Sequence, residues 1–137
     1  PVAVASVYYL QTDQLSLQLL FAGLSSGLIS SGILLVNNIR DVEEDRNANK
    51  KTLVVRFGSS FGKKLFAFCL ISSTLLPLLF YSSHPFIVLV SLTLLPCLFL
   101  IKEIYTNQDP KLLNPLLGKT AKFLLVYTLI FCFSWMM

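Results

Sequence analysis

Charged residues are scarce in this sequence. Of its 137 residues, 13% are charged and 55% are hydrophobic, which is too apolar a composition for a soluble domain of this length. A disordered chain is excluded as well, because it would carry more charge and would lack the long apolar runs present here. The composition therefore predicts an integral membrane protein.

Cysteine and histidine are also rare. The three cysteines lie inside apolar stretches without a CxxC spacing, which argues against a disulfide framework or a zinc site and is typical of buried small side chains. The one histidine, His84, precedes Pro85 in a short predicted turn and is interpreted as an interfacial turn residue.

Long apolar runs predict an all-α integral membrane protein, a transmembrane bundle of about four spanning helices plus a partial one. The partial helix is the tail at Pro1 to Leu10. The first full run has 22 positions, and at 1.5 Å per residue it covers about 33 Å, enough to cross the roughly 30 Å hydrocarbon core. The last run has only 15 residues and is predicted to borrow a turn from Thr120 to Lys122. The four predicted spans are Leu15 to Val36, Leu65 to Tyr81, Phe86 to Ile101 and Phe123 to Met137.

The basic residues are all predicted to lie on one side of the membrane. If each run crosses once, the polar loops Asn37 to Arg56 and Lys102 to Lys122 share a side and, with Lys63 and Lys64 just before the second span, carry all 11 Lys and Arg residues. The turns Gln11 to Gln14 and Ser82 to Pro85 carry none. The positive-inside rule then places both loops in the cytoplasm. Anionic lipid headgroups or an anionic substrate explain the net charge of +4, so no nucleic acid is required.

One polar segment, from Asn37 to Gly58, concentrates the acidic residues. Asn37, Asp41 and Asp45 are spaced i, i+4, i+8, so on a continuous helix they project from one face. Acids at the C-terminal end of a helix oppose its macrodipole, and a cation is expected to compensate. Magnesium fits because it favours one or two carboxylates together with phosphate oxygens. The four clustered acids are Asp41, Glu43, Glu44 and Asp45.

Spacing alone leaves a second interpretation of these acids open. Arg40 can pair with Glu44 at i+4, and Arg46 lies nearby, which would make the cluster a solvated, salt-bridged helix end. In the magnesium interpretation, Lys50, Lys51 and Arg56 supply the donors that a diphosphate needs.

The helix face that carries the acids can be followed back into the membrane. Gly23 and Gly27 have a GxxxG spacing, and Ser30, Ser31 and Leu34 continue the face towards Asn37. Such a face is predicted to pack closely inside a bundle. The acids would then point into the mouth of the bundle, where ionisable residues indicate a functional site.

The run Asn37-Asn38-x-Arg40-Asp41-x-x-x-Asp45, followed by Lys50, Lys51-Thr52-Leu53-x-Val55-Arg56-x-Gly58, resembles the second aspartate-rich motif of the UbiA superfamily of intramembrane prenyltransferases. The segments Tyr8 to Thr12 and Leu113 to Ala121 are similar to those that flank this motif in the branch acting on 1,4-dihydroxy-2-naphthoate in menaquinone biosynthesis. The resemblance thus covers essentially the whole chain. Asn49 stands where glycine is usual, and asparagine tolerates left-handed backbone.

The resemblance implies a nine-helix fold with two aspartate-rich motifs. Residues 1–137 would form the C-terminal part of that single domain, and the chain, which lacks an initiator methionine, is predicted to be a fragment that is inactive alone. The implied reaction transfers a polyprenyl group from its diphosphate to 1,4-dihydroxy-2-naphthoate with loss of carbon dioxide, at the cytoplasmic side of the inner membrane. Asp41 and Asp45 would be the catalytic residues and, with Asn37, the Mg²⁺ ligands. The diphosphate-binding residues would be Asn38, Lys50, Lys51 and Arg56.

Two other functions fit part of these observations. One is a UbiA-type transferase for a different aromatic acceptor. The other is a non-enzymatic membrane bundle that binds a cation, which predicts acids near the bilayer midplane on discontinuous helices.

Overall fold

Helices make up the fold. A computed structural model describes residues 1–107 and 109–137, and these residues contain no strand. Short 3₁₀ segments extend some of the α-helices, at Leu76–Phe80, Pro85–Thr93 and Pro110–Leu113. The α-helices are α1 (Val2–Thr12), α2 (Leu17–Arg40), α3 (Val42–Asn47), α4 (Leu53–Phe57), α5 (Ser59–Leu75), α6 (Leu94–Thr106) and α7 (Asn114–Met136).

Four helical stretches of the described residues are long and apolar enough to cross a membrane: Leu17–Arg40, Ser59–Phe80, Pro85–Thr106 and Asn114–Met136. Each has 22 to 24 residues, whereas a spanning helix needs about 20. The shorter α1 precedes them. The predicted all-α membrane bundle of four spans and a partial helix is therefore confirmed.

The predicted start of the last span was wrong. Helix α7 begins at Asn114 instead of Phe123, with Pro115 in its first turn, a position that suits proline because the first N–H groups of a helix have no intrahelical partner. Lys119 therefore lies on a helix and not in the predicted loop Lys102 to Lys122. Its ammonium group pairs with the Glu103 carboxylate of α6 at 2.7 Å. This ion pair allows a basic residue to lie near the start of an apolar spanning helix.

Helix α2 lies at the centre and packs against α5 and α7. Gly32 permits the close approach of α5, since a Cβ atom there would lie 2.8 Å from Leu70 Cδ1. Helix α7 is tied to α5 by the buried Tyr127, whose hydroxyl donates to the Ser73 carbonyl at 2.6 Å. The fully buried Ile29, Val36, Phe66 and Leu70 fill the space between these helices.

The two ends of the bundle differ in character. At one end Arg40 of α2 meets Asn114 at the start of α7. At the other, the His84 ring stacks on Trp135 near the end of α7, with 4.2 Å between ring centroids. The acids and His84 are thus at opposite ends, as expected, and the turn between Phe80 and Pro85 contains no basic residue other than that histidine.

Candidate active site

The acidic segment begins where α2 ends. Asp41 interrupts the helix with φ −96° and ψ 16°, and α3 follows at Val42. The break is slight, because the Asp41 N–H still donates to the Asn37 carbonyl at 2.9 Å and the Asp45 N–H donates to the Asp41 carbonyl at 2.8 Å. The helical i, i+4 spacing of Asn37, Asp41 and Asp45 therefore survives, although the predicted continuous helix does not.

Asp41 is held by the guanidinium group of its neighbour Arg40. Arg40 Nε donates to Asp41 Oδ1 at 2.6 Å and Nη2 donates to Oδ2 at 2.7 Å. This hydrogen-bonded pair lowers the pKa of Asp41, against the opposing effect of its partial burial, so the carboxylate is ionised at neutral pH. Arg40 thus pairs with Asp41 instead of Glu44, the partner expected from the i+4 spacing, because the adjacent Asp41 carboxylate takes the Nε–Nη2 edge of the guanidinium.

The same guanidinium makes two further hydrogen bonds. Arg40 Nη2 donates to Asn37 Oδ1 at 2.8 Å, and Nη1 donates to Asn114 Oδ1 at 2.8 Å. Arg40 therefore joins two residues of the acidic segment to the start of α7. This link was not predicted from the sequence. The sequence feature that could have indicated it is the segment Leu113 to Ala121, which resembles the family and contains Asn114.

Asp45 lies in a less exposed environment. Its side chain is 7% exposed, and Oδ1 accepts a hydrogen bond from Lys50 Nζ at 2.9 Å, which offsets the cost of withdrawing a charge from water. The bond to Asp45 raises the pKa of Lys50. Asn49 makes this return of the chain possible with a left-handed φ of 55°, in agreement with the expected tolerance at that position.

Glu43 belongs to a separate, exposed pair. Arg46 Nη1 donates to both carboxylate oxygens of Glu43 at 2.9 Å, and the Glu43 side chain is 70% exposed. The four clustered acids thus divide by exposure: Asp41 and Asp45 are partly or fully buried at the end of the bundle, whereas Glu43 and Glu44 are exposed.

Of the basic residues predicted to bind diphosphate, one contacts Asp45 and two do not contact Asp41 or Asp45. Lys50 contacts Asp45, whereas Lys51 and Arg56 are exposed and form no hydrogen bond or ion pair with Asp41 or Asp45 within the described residues. The Arg56 guanidinium lies 5.5 Å from the ring centroid of Phe57. Asn38 is half-buried beside Asn37.

The predicted packed face of α2 was only half right. Gly23 and Gly27 do face a close neighbour, because added Cβ atoms would lie 2.9 Å and 3.3 Å from Pro1. Ser30, Ser31 and Leu34 are exposed instead, since the buried side of α2 turns through Gly32 and Val36 towards α5. These three exposed residues form an open strip of α2 that leads to the acidic segment.

The donor chemistry of this segment fits a hard divalent cation. Asp41, Asp45 and Asn37 offer two carboxylates and an amide oxygen at helical spacing. No group of three or more His, Cys, Asp or Glu side chains suited to a metal occurs in residues 1–107 and 109–137. The set is thus too small for an all-protein cage, and it suits an ion such as Mg²⁺ that takes further ligands from substrate phosphates.

Comparison with known proteins decides the family. The model of the UbiA prenyltransferase family matches residues 1–126. The chain belongs to the UbiA prenyltransferase family. The resemblance inferred from the segment Asn37 to Gly58 is thereby confirmed.

Individual UbiA relatives align along nearly the whole chain. It is 28% identical over 135 residues to 1,4-dihydroxy-2-naphthoate octaprenyltransferase of Haemophilus influenzae, with 93% of this chain and 42% of that protein covered. It is 32% identical over 133 residues to the Escherichia coli protein of the same name, with 94% and 43% covered. UbiA prenyltransferase domain-containing protein 1 of Gallus gallus is 26% identical over 137 residues, covering all of this chain and 40% of that protein.

The chain thus spans less than half the length of each of these relatives. No solved structure matches it. The acids lie at the end of α2, which does not fit the cation-binding bundle with acids at mid-membrane.

Proposed function

We propose that the chain is the C-terminal part of a longer UbiA-family enzyme that transfers a polyprenyl group from polyprenyl diphosphate to 1,4-dihydroxy-2-naphthoate. The observation that carries the proposal is the Asp41 carboxylate, held by Arg40, with the buried Asp45 four residues later at one end of the spanning bundle. Two relatives named for this reaction align with 93% and 94% of the chain, which supports the choice of substrates.

The residues of the acidic segment have distinct proposed tasks. Asp41, Asp45 and Asn37 would hold Mg²⁺, which, when bound, neutralises charge on the departing diphosphate. Asn38, Lys50, Lys51 and Arg56 would donate to the remaining diphosphate oxygens. Lys51 and Arg56 have no acidic partner in the described part of the chain, so their donors are free to bind an anionic substrate.

The proposed reaction replaces a carboxylate by the prenyl group. The allylic C–O bond of the donor breaks and its electron pair leaves with the diphosphate. The naphthoate carbon that bears the carboxylate forms the new C–C bond, and the C–C bond to that carboxylate then breaks to release carbon dioxide and restore the aromatic ring. The product would be a demethylmenaquinol, the hydroquinone form of a demethylmenaquinone.

The proposed location is the inner membrane, with the acidic end in the cytoplasm. Its support is the positive-inside rule, because the loops and helix ends beside Asp41 contain the Lys and Arg residues and the turn at His84 contains none.

A second candidate is transfer by the same fold to a related acceptor or from a different donor. A Synechocystis relative, 32% identical over 72 residues and aligned with 53% of this chain, is named 2-carboxy-1,4-naphthoquinone phytyltransferase. The substrates to compare are therefore carboxynaphthoquinone, the oxidised form of the acceptor, and phytyl diphosphate as the donor.

Membranes containing the complete protein would be supplied with octaprenyl or phytyl diphosphate and with dihydroxynaphthoate, carboxynaphthoquinone or a hydroxybenzoate. We expect octaprenyl transfer to dihydroxynaphthoate with one carbon dioxide released per product, and its loss when a chelator removes divalent ions. Preference for carboxynaphthoquinone or phytyl diphosphate would favour the second candidate. Transfer to hydroxybenzoate alone would refute the proposed acceptor.

A further inference from the structure

The link between Arg40 and Asn114 crosses 74 positions of sequence. A guanidinium group has five N–H donors in a fixed plane. Asp41 accepts from two nitrogens and Asn37 from one of those two, so the remaining nitrogen, Nη1, is the one bonded to Asn114. The acidic segment thus supplies three of the acceptors of Arg40, and α7 supplies the fourth.

The Asn114 end of this link is well supported. Asn114 begins α7, and the neighbouring Leu113 and Leu116 are buried with 2% and 0% exposure. Farther along, the hydrogen bond from Tyr127 to Ser73 fixes α7 against α5. Asn114 is itself exposed, so its amide contributes to Arg40 more than to the core.

Arg40, by contrast, has little other support outside the acidic segment. It is the last residue of α2, and Asp41 departs from helical geometry directly after it. An arginine side chain in this position has many accessible rotamers. A single acceptor on another helix is therefore enough to select the rotamer in which the guanidinium plane faces both Asp41 oxygens.

We propose that Arg40 is a positioning residue and that Asn114 orients it, so that the start of α7 sets the direction of the Asp41 and Asn37 oxygens towards the bound cation. This inference rests on the proposed function, because it presumes that those oxygens serve a divalent ion. Hydrogen-bonded partners of metal ligands commonly change metal affinity by about 10- to 100-fold when they are removed.

The test measures metal response separately from turnover. The complete protein in detergent, with inorganic diphosphate at constant concentration, would be titrated with Mg²⁺ while its melting temperature is recorded. Asn114→Leu removes the acceptor at similar size, Asn114→Asp keeps an oxygen there, and Lys119→Met breaks a different inter-helix link at the same end of the bundle.

We expect Asn114→Leu to need about tenfold more Mg²⁺ for half-maximal stabilisation. Asn114→Asp should stay within about threefold of wild type, and Lys119→Met should match it. In the prenyl-transfer assay, high Mg²⁺ should restore most of the activity of Asn114→Leu, which a merely structural defect would not allow.

Three results would overturn the proposal: a wild-type midpoint for Asn114→Leu, an equal shift in Lys119→Met, or no stabilisation of the wild type by Mg²⁺. The two proposals fail separately. An active wild type with an unaltered Asn114→Leu midpoint would refute the positioning role alone. A shifted midpoint in a protein that does not prenylate dihydroxynaphthoate would refute the proposed function alone.

Discussion

Asp41 and Glu43 are two positions apart but have different surroundings. Asp41 accepts two hydrogen bonds from the Nε–Nη2 edge of the Arg40 guanidinium at the junction of α2 and α3. Glu43 is 70% exposed and paired with Arg46, and on a helix it is turned about 200° from Asp41. The two acids therefore form a matched pair of positions for separating a metal ligand from general negative charge.

If Asp41 holds the cation, Asp41→Asn in the complete protein keeps the size of the side chain and removes the charge that the metal needs. A loss of several kcal/mol of transition-state stabilisation corresponds to a fall in prenyl transfer of at least about a hundredfold. Glu43→Gln should retain activity within about twofold, since exposed ion pairs contribute little. Both variants would be assayed in membranes at matched expression, and equal losses would assign the acids a diffuse electrostatic or folding role.

At this scale the sequence predicted local relations and missed distant ones. The i, i+4 spacing of Asn37, Asp41 and Asp45 follows from helix geometry, and the left-handed Asn49 follows from its residue type. The contact between Arg40 and Asn114 depends on how α7 packs beside α2, which no local pattern encodes. Arg40 pairs with Asp41 and not with Glu44, because the adjacent Asp41 carboxylate takes the Nε and Nη2 donors.

Helix α5 approaches the acidic end of α2 through Gly62. An added Cβ atom there would lie 2.9 Å from Ile39 Cγ1 and from Val54 Cγ2, both side chains being buried. Gly118 in α7 is the matched control, because nothing lies within 4 Å of its added Cβ.

Gly62→Ala should destabilise the protein by about 1–3 kcal/mol through overpacking, partly offset by the higher helix propensity of alanine. Gly118→Ala should leave stability unchanged or raise it by up to about 1 kcal/mol. Thermal unfolding in detergent would measure both. A stable Gly62→Ala protein would show that α5 can shift away from Ile39 without cost.

Helix existence and helix boundaries were predicted with different success. Long apolar runs identify all four spans because a bilayer demands about 20 apolar residues. The start of α7 was placed six to nine residues late because Lys119 and Lys122 were interpreted as loop residues, although a lysine in the first turns of a span can direct its charge outwards. The pairing of Lys119 with Glu103 needs the position of α6, which the local sequence does not contain.

The arrangement of the whole bundle predicts which loops each side of the membrane exposes. Asn47, at the end of α3, lies at the acidic end, and Ser82 lies in the turn at the other end. With the three native cysteines replaced by alanine, Asn47→Cys and Ser82→Cys would be treated with a membrane-impermeant thiol reagent. Ser82→Cys should react in intact cells, and Asn47→Cys only after permeabilisation. The reverse pattern would invert the proposed topology.

The open strip of α2 indicates where the rest of the complete enzyme packs. Ser30, Ser31 and Leu34 are exposed on a spanning helix directly before Asn37, and Leu34 has 60% of its surface uncovered. The relatives are more than twice as long as the stretch that this chain matches. We therefore expect the remainder of the fold to cover this strip and to bring further ligands opposite Asp41 and Asp45.

That expectation makes the activity of the isolated chain decisive. The chain carries one of the two aspartate-rich motifs that the family resemblance implies, so it would hold the cation–diphosphate complex from one side only. The 137 residues alone should show no prenyl transfer. Co-expression with the N-terminal part of the complete protein should restore transfer that depends on Mg²⁺. Leu34→Arg places a charge in the strip and should prevent that restoration. The matched change Leu129→Arg, on an exposed part of α7, should weaken membrane insertion without a specific effect on pairing of the halves. Co-purification of the two parts and product formation would both be measured, and turnover by the isolated chain would refute this account of the site.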